Sequence, residues 1–369
     1  MSKAKVKRIF ANLSLLLVFF SFAFLAGEVV VRMLFKDSVV MFPRYHTDVQ
    51  YGEFTLRRIR PNSSFWHTSV DGSWEFETNA QGFRNRIEFD YEKPEDVIRV
   101  LSLGDSHTQG YEVRQDFTFS AVIEKYLNAS GYEAQVLNTG VSGFSTAEEL
   151  VLLENEGVKF QPDFVVLGFY ANDFEDNLKA GLFRLTEDGT LSIEKKQHIP
   201  GVRVQNLIYS VPTVAWLSEN SYFYSIFFNS VWQFFKDKLA TDAADATAEY
   251  AVPTTDRNST YEIELTIALL TRLKEFCSER GIPLIIVDIP RLSQDPSLPP
   301  AIQQIIPDLS DAYIDGAALL ERFADVAEVH RPAGNRHITE FSHIVLGVNA
   351  AEQIAAWLGE ENHGVSSPN

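Results

Sequence analysis

The stretch Val97-Ile-Arg-Val-Leu-Ser-Leu-Gly-Asp-Ser-His-Thr-Gln-Gly110 decides how this chain is read. Val97, Ile98, Val100, Leu101 and Leu103 form a nearly continuous apolar run rich in β-branched residues, which predicts a strand buried on both faces. The run stops at Gly104-Asp-Ser106, where Gly permits a tight turn and Asp or Ser caps a following helix. A serine placed there has an exposed hydroxyl and backbone N–H groups close by. Ser106 is therefore either a plain helix cap or a nucleophile with part of an oxyanion hole built around it.

Working outward, the same alternation repeats. Ser120 to Leu127 carries apolar residues at helical spacing, and Ala134 to Asn138 reads as a second strand ending at Thr139-Gly140. A helical pattern over Ala147 to Asn155 precedes a third buried strand, Phe164 to Tyr170. Leu284 to Ile289, stopped by Pro290, is a fourth, and Tyr313 to Asp315 a short fifth. Strands alternating with helices imply an α/β fold with a three-layer, doubly wound parallel sheet, whose ligands sit beyond the carboxyl ends of the strands. Ser106, Gly140 and Asn172 all fall at such ends.

Four blocks in this order carry a resemblance. Gly104-Asp-Ser106, Asn138-Thr-Gly140-Val-Ser-Gly-Phe, Gly168-Phe-Tyr-Ala-Asn172-Asp173 and His337-Ile-Thr-Glu-Phe-Ser-His343 resemble the four blocks of the SGNH, or GDSL, hydrolase superfamily, with its flavodoxin-like sheet. The likeness runs from about residue 76 to 358, with an insertion. Asn79-Ala-Gln-Gly82-Phe83-Arg84 also resembles a segment preceding the nucleophile in membrane-anchored bacterial members. The resemblance implies Ser106 as nucleophile, with its own N–H, the Gly140 N–H and the Asn172 amide stabilising an oxyanion. Gly140 suits that role because no side chain blocks an approaching substrate oxygen. The Asn172 amide donates without carrying charge, although the Asn172-Asp173 pair also fits simple turn chemistry.

The last block usually reads Asp-x-x-His. His337 fits its flanks as the general base, yet the position three before it is Gly334, so the usual acid is missing. The orienter would then be a backbone carbonyl, a water or a carboxylate from elsewhere. The alternative register pairs His343 as base with Glu340.

The rest of the sequence bounds the class. Among 369 residues, 32 Lys and Arg face 50 Asp and Glu, a net charge of −18 that excludes binding to a nucleic-acid backbone. The single cysteine, Cys277, lies in a helical pattern and reads as a buried thiol; no Cys/His spacing suggests a metal, and no cofactor motif is present. Lys3, Lys5, Lys7 and Arg8 precede an apolar run from Ile9 to Gly27. That predicts a transmembrane signal anchor over 1–35 with a cytoplasmic N-terminus. Cleavage after Ala26 or Gly27 would place Phe24 or Leu25 where a small residue is needed, which disfavours a removed signal peptide.

Residues 36–95 read as a small β-rich lead-in packed on the core, with Ser73 to Asn79 an alternating strand and Trp66 and Trp74 as packing or sugar-stacking residues. Residues 96–358 form the hydrolase-like domain, interrupted by an insertion over 178–256, and 359–369 are a disordered tail. The aromatic segment Phe223 to Phe235 in the insertion is a lid, a membrane-surface contact or a helix covering the sheet, and Thr241 to Glu249 a mobile acidic loop.

The expected function is that of an exported, membrane-tethered serine esterase removing acyl groups, acetyl above all, from a glycan through an acyl-serine intermediate. Its partners would be an ester-bearing small molecule or acylated glycan, and the bilayer through the N-terminal helix. An O-acyltransferase acting on a cell-surface polysaccharide, and a catalytically degenerate glycan-binding protein, are the alternatives.

Overall fold

Buried β-branched runs, amphipathic helices and short turns assemble here as their patterns require. The computed structural model describes residues 3–41, 45–228, 230–231, 260–292, 297–333 and 336–364. An N-terminal helix, Lys3–Leu34, leads to two antiparallel hairpins, β1 (His46–Tyr51) with β2 (Phe54–Ile59) and β3 (Ser64–Ser69) with β4 (Gly72–Glu77). The core then supplies β5 (Val97–Gly104), β6 (Glu133–Asn138) and β7 (Phe164–Tyr170). Short strands β8 (Phe183–Leu185), β9 (Leu191–Ile193) and β10 (Gln197–His198) follow, before β11 (Leu284–Ile289) and β12 (Ala312–Asp315) complete the core.

The central sheet runs β12-β11-β7-β5-β6, and every pairing within it is parallel. Side chains alternate across it. Val100 faces the layer of helices Phe119–Ala129 and Glu340–Gly364, through Ile123, Leu127, Leu346 and Ile354. Leu101 and Leu103 face the layer of Thr146–Asn155 and Thr260–Ser278, through Leu150, Leu153, Leu269 and Leu273. Two apolar layers on one sheet make this a three-layer, doubly wound α/β fold. The chain reverses its direction of travel between β5 and β7, where such sheets open a crevice at their carboxyl edge.

The lead-in and the insertion are joined, which the sequence did not suggest. Strand β10, from within the insertion, pairs in parallel with β2 of the lead-in. His198, the last residue of β10, meets the buried Glu148 carboxylate at 2.5 Å. Trp74 is buried with the Arg331 guanidinium over its ring, whereas Trp66 is half exposed. Cys277 is fully buried, and burial pushes its thiol up to about 12. The last helix runs to Gly364, past the expected start of the tail at 359. The acidic loop 241–249, the aromatic residues 232–235 and the end of the tail, 365–369, lie outside the described residues.

The helix Lys3–Leu34 is long and apolar enough to cross a membrane, with a mean hydropathy of 2.3 over its best window. Its Leu, Phe and Val side chains from Leu13 to Phe22 are exposed.

Candidate active site

The turn after β5 is shaped by what cannot fit. Gly104 has φ +148°, and a Cβ there would meet Thr108 Oγ1 at 1.9 Å. Asp105 then acts as N-cap: its carboxylate accepts the His107 N–H at 2.8 Å. Ser106 is thus the first residue inside the helix Ser106–Gln109, not its cap, and its hydroxyl is left to other partners.

The helix is clamped from behind by residues of the lead-in. The Arg84 guanidinium is 2% exposed and donates to the carbonyls of Gln109 at 2.8 Å, Val113 at 2.6 Å and Gly110. It also lies over the Phe76 ring. Gln109 reaches the other way, donating to the Tyr45 hydroxyl at 2.8 Å and accepting the Ser142 N–H at 2.5 Å. Both Nη groups of this deeply buried charge are occupied, which offsets its desolvation, while its Nε is buried without a hydrogen-bond partner.

His337 arrives from the far end of the chain. Its Nε2 lies 2.8 Å from Ser106 Oγ. The ring stacks on Tyr111, with centroids 4.8 Å apart, and lies 4.7 Å from His107. The preceding residue, Arg336, holds φ +56°, a left-handed conformation that costs energy for a side chain of this size. The His337 carbonyl accepts the Arg331 N–H at 2.8 Å, and Ile338 bridges to His330, so the loop backbone is tied on both sides of the imidazole. Gly334, which occupies the usual acid position, lies outside the described residues.

His343 and Glu340 are not brought together. His343 is fully buried and its Nδ1 accepts the Phe119 N–H at 3.1 Å. Burial pushes its imidazole down to about 3, with the charges of Arg84, His337 and Arg331 acting the same way. Glu340 instead grips Arg114, accepting from its Nε at 2.9 Å, its Nη2 at 2.7 Å and its backbone N–H.

Gly140 and Asn172 flank the turn, in ways the sequence only partly conveyed. A Cβ on Gly140 would meet Gln109 N at 2.3 Å, so glycine is required for packing against the serine helix rather than for open access. Its N–H is engaged by Asn138 Oδ1 at 3.2 Å. Asn172 Nδ2 donates to Asp176 Oδ2 at 2.9 Å and lies 3.5 Å from Asp105 Oδ2.

Beneath these groups sits a set of buried carboxyls that sequence reasoning missed. Asp105 is 1% exposed, and burial, with Asp176 as the nearest like charge, pushes it up to about 7. Glu149 and Asp173 are equally buried. Burial raises both well above the usual carboxylate range, and neighbouring carboxyls add to it. Glu148 differs: burial pushes it up, yet His198, Arg57 and Ser145 together hold it below its ordinary value. The adjacent Glu148-Glu149 pair at a helix start was the available signal, but it looks like an ordinary capping box, which Ser145 and Glu148 do form.

No curated protein matches the sequence. Among solved structures, the psychrotrophic esterase EstA from Pseudoalteromonas is similar at 12% identity and a TM-score of 0.39, covering 71% of this chain and 98% of its own. The acetylxylan esterase Axe2 from Geobacillus stearothermophilus is similar at 11% identity and a TM-score of 0.38, covering 70% of this chain and 94% of its own. Residues 100–205, which hold Ser106, Gly140 and Asn172, match the model of the GDSL-like lipase/acylhydrolase family. The part of the chain that holds Ser106, Gly140 and Asn172 is therefore similar to GDSL-like lipases and acylhydrolases.

Proposed function

We propose that this chain is an exported, membrane-tethered esterase that removes acyl groups, acetyl in particular, from a glycan. The observation that carries the catalytic assignment is the 2.8 Å approach of His337 Nε2 to Ser106 Oγ. Ser106 Oγ attacks the ester carbonyl as His337 Nε2 takes its proton, and the imidazolium returns that proton to the departing sugar oxygen. Water then attacks the acyl-serine, giving up a proton to His337, which passes it to Ser106 Oγ as the acyl–oxygen bond breaks and the acid leaves. Tyr111 and the tied loop hold the imidazole plane during both transfers.

The oxyanion is met by the Ser106 N–H at the helix start and by Asn172 Nδ2, whose second hydrogen turns to it from its long 3.5 Å contact with Asp105. The Gly140 N–H joins them only by leaving Asn138. The net charge of −18 favours an uncharged ester over an anionic one. The N-terminal helix serves as an uncleaved anchor, cytoplasmic at its start, with residues 36 onward outside, where glycans are found.

A fluorophosphonate probe should label the full-length protein at Ser106, and Ser106→Ala should abolish both labelling and release of acetate from acetylated polysaccharide. Labelling that survives in Ser106→Ala overturns the nucleophile. Accumulation of acetylated polysaccharide in place of free acetate turns the reading into acyl transfer.

A further inference from the structure

We propose that Leu207, Val211, Trp216 and Phe227 form a second contact of this chain with the lipid bilayer, lying in the headgroup layer beside the point where the N-terminal helix leaves it. The inference rests on the reading of that helix as a membrane anchor.

The insertion is fastened to the last turns of the anchor. Glu28 accepts hydrogen bonds from the Ser221 hydroxyl at 2.7 Å and from the backbone N–H groups of Phe223 at 2.9 Å and Tyr222 at 3.1 Å. It thereby caps the helical residues 222–228. Arg32, one turn on, pairs with Glu28 and donates to the Asn220 carbonyl at 2.8 Å. Phe24 meets Phe223 edge-on with centroids 5.3 Å apart. A Cβ on Gly27 would come within 2.9 Å of that Phe223 ring, so the close approach uses the absence of a side chain. Val31, Val39 and Met41 bury themselves against Tyr222, Phe223 and Ile226.

This attachment fixes the depth. A bilayer core takes about 20 helical residues. The apolar run begins at Ile9, so the core ends close to Glu28, the first acid in the helix. The segment capped by Glu28 therefore sits at the interface. Flanking it are the helices Val202–Tyr209 and Pro212–Asn220, too short to span and suited to lie flat. Their inward residues Val202, Gln205, Ile208 and Ser218 are buried, while Leu207 is 68%, Trp216 61% and Phe227 61% exposed. Exposed aliphatic and aromatic side chains at this level are what an interface layer accommodates.

The bilayer is the occupant the observations favour, because the segment Asn220 to Phe223, between Trp216 and Phe227 in the chain, is bonded to an anchor whose exposed Phe20, Phe22, Leu25 and Val29 need lipid. A second contact also fixes how the domain stands. Met41 pairs with Thr68 through their backbones, His67 lies 4.5 Å from Tyr111, and Tyr111 stacks on His337. An unbroken series of contacts thus links the docked anchor to the base.

The test uses the full chain in lipid nanodiscs of phosphatidylethanolamine and phosphatidylglycerol, with the buried Cys277 kept and one exposed cysteine added for a nitroxide label. The substitutions are Trp216→Cys, Leu207→Cys, Phe20→Cys in the anchor, and Glu133→Cys at the opposite, amino end of β6 as a water reference. Each sample is accepted as folded if a fluorophosphonate labels Ser106. Collision with oxygen against collision with a water-soluble nickel chelate reads the depth.

Labels at 216 and 207 should favour oxygen several-fold over the label at 133, at a shallower depth than the label at 20. Labels at 216 and 207 that match 133 while 20 remains in lipid overturn this proposal and leave the anchor standing. A label at 20 that reads as water overturns the anchor, and this proposal with it. Labels at 216 shielded from both reagents and dipole-coupled between chains identify a second copy as the occupant and also overturn it.

Discussion

Two histidines in one block show how burial sorts chemistry that sequence leaves open. His337 lies on the loop before the last helix, and His343 lies one turn inside that helix. His337 faces a hydroxyl that can give it a proton. His343 faces the Phe119 N–H, which already fills one nitrogen, in surroundings that hold the ring neutral down to about pH 3. A general base must carry positive charge in the transition state, and only a site that tolerates the imidazolium can supply one. The flanking residues are similar, but the two environments are opposite.

The sharpest way to break this contrast is to remove each ring. With p-nitrophenyl acetate as substrate, His337→Ala should lower kcat by roughly three to four orders of magnitude, as loss of a triad member does, with little change in melting temperature. His343→Ala should do the reverse. Turnover should stay within a few-fold, while stability falls by about 1–3 kcal/mol because the Phe119 N–H is left buried without an acceptor. Full activity in His337→Ala would put the base in the other register.

A second contrast lies between the front of the serine helix, where Ser106 meets His337, and its back, which Arg84 holds. Arg84→Ala takes the donor from three buried carbonyls, and a buried acceptor left unsatisfied costs about 1–3 kcal/mol. Chemical denaturation should show that loss, and kcat should fall as Ser106 and His337 drift apart. Arg84→Lys should recover part of the stability at most, since one ammonium cannot fork to three acceptors. Denaturation and turnover both unchanged in Arg84→Ala would remove the clamp from the account.

How much of this was legible follows from where the signal sits. Phe164–Tyr170 and Leu284–Ile289 were readable to the residue, because a strand buried on both faces must be apolar along its length. Ser106, Gly140 and Asn172 were readable because they fall at strand ends. For Gly140 the close approach to Gln109 N was not legible, because it depends on a packing distance that no local pattern encodes. Glu149 and Asp173 were invisible, since carboxylates on helices normally face water and nothing local marks these as buried. The pairing of β10 with β2 and the capping of residues 222–228 by Glu28 join segments far apart in the chain, between which sequence patterns carry no link.

The buried carboxyls and the buried imidazoles also pull stability in opposite directions with pH. Burial raises Asp288 from 3.8 to about 8 and Asp105 to about 7, so the folded state keeps protons that the unfolded chain loses. Stability from these acids is complete below about pH 4 and is lost as pH rises to 7 or 8. His67 and His343 fall from 6.5 to about 3, so their contribution grows with pH up to 6.5. Between about pH 6.5 and 8 only the acids act, and melting temperature should decline across that window at constant ionic strength. Asp288→Asn should flatten the decline while keeping an acceptor for the Tyr313 hydroxyl, now 2.9 Å from Asp288 Oδ2. A profile that rises from 6.5 to 8, or one unaltered by Asp288→Asn, contradicts this assignment.

The smallest effect belongs to Glu340, and its smallness is informative. Its carboxylate engages Arg114 through the backbone N–H and two guanidinium nitrogens, with the Arg114 side chain 63% exposed. Exposed pairs of this kind contribute about 0–1 kcal/mol, because solvent screens the charges and two long side chains lose freedom. The Arg114 N–H remains satisfied by the amide oxygen in Glu340→Gln. That variant should therefore lose no more than about 1 kcal/mol, and the loss should shrink as salt rises from 0.05 to about 1 M, where screening acts over roughly 3 Å. Turnover should stay within two-fold or so, because no reacting atom is oriented by this carboxylate. A hundred-fold fall in kcat in Glu340→Gln, rescued by neither salt nor lower temperature, would mean that Glu340 orients an imidazole after all, and that the contrast between the two histidines has been drawn the wrong way round.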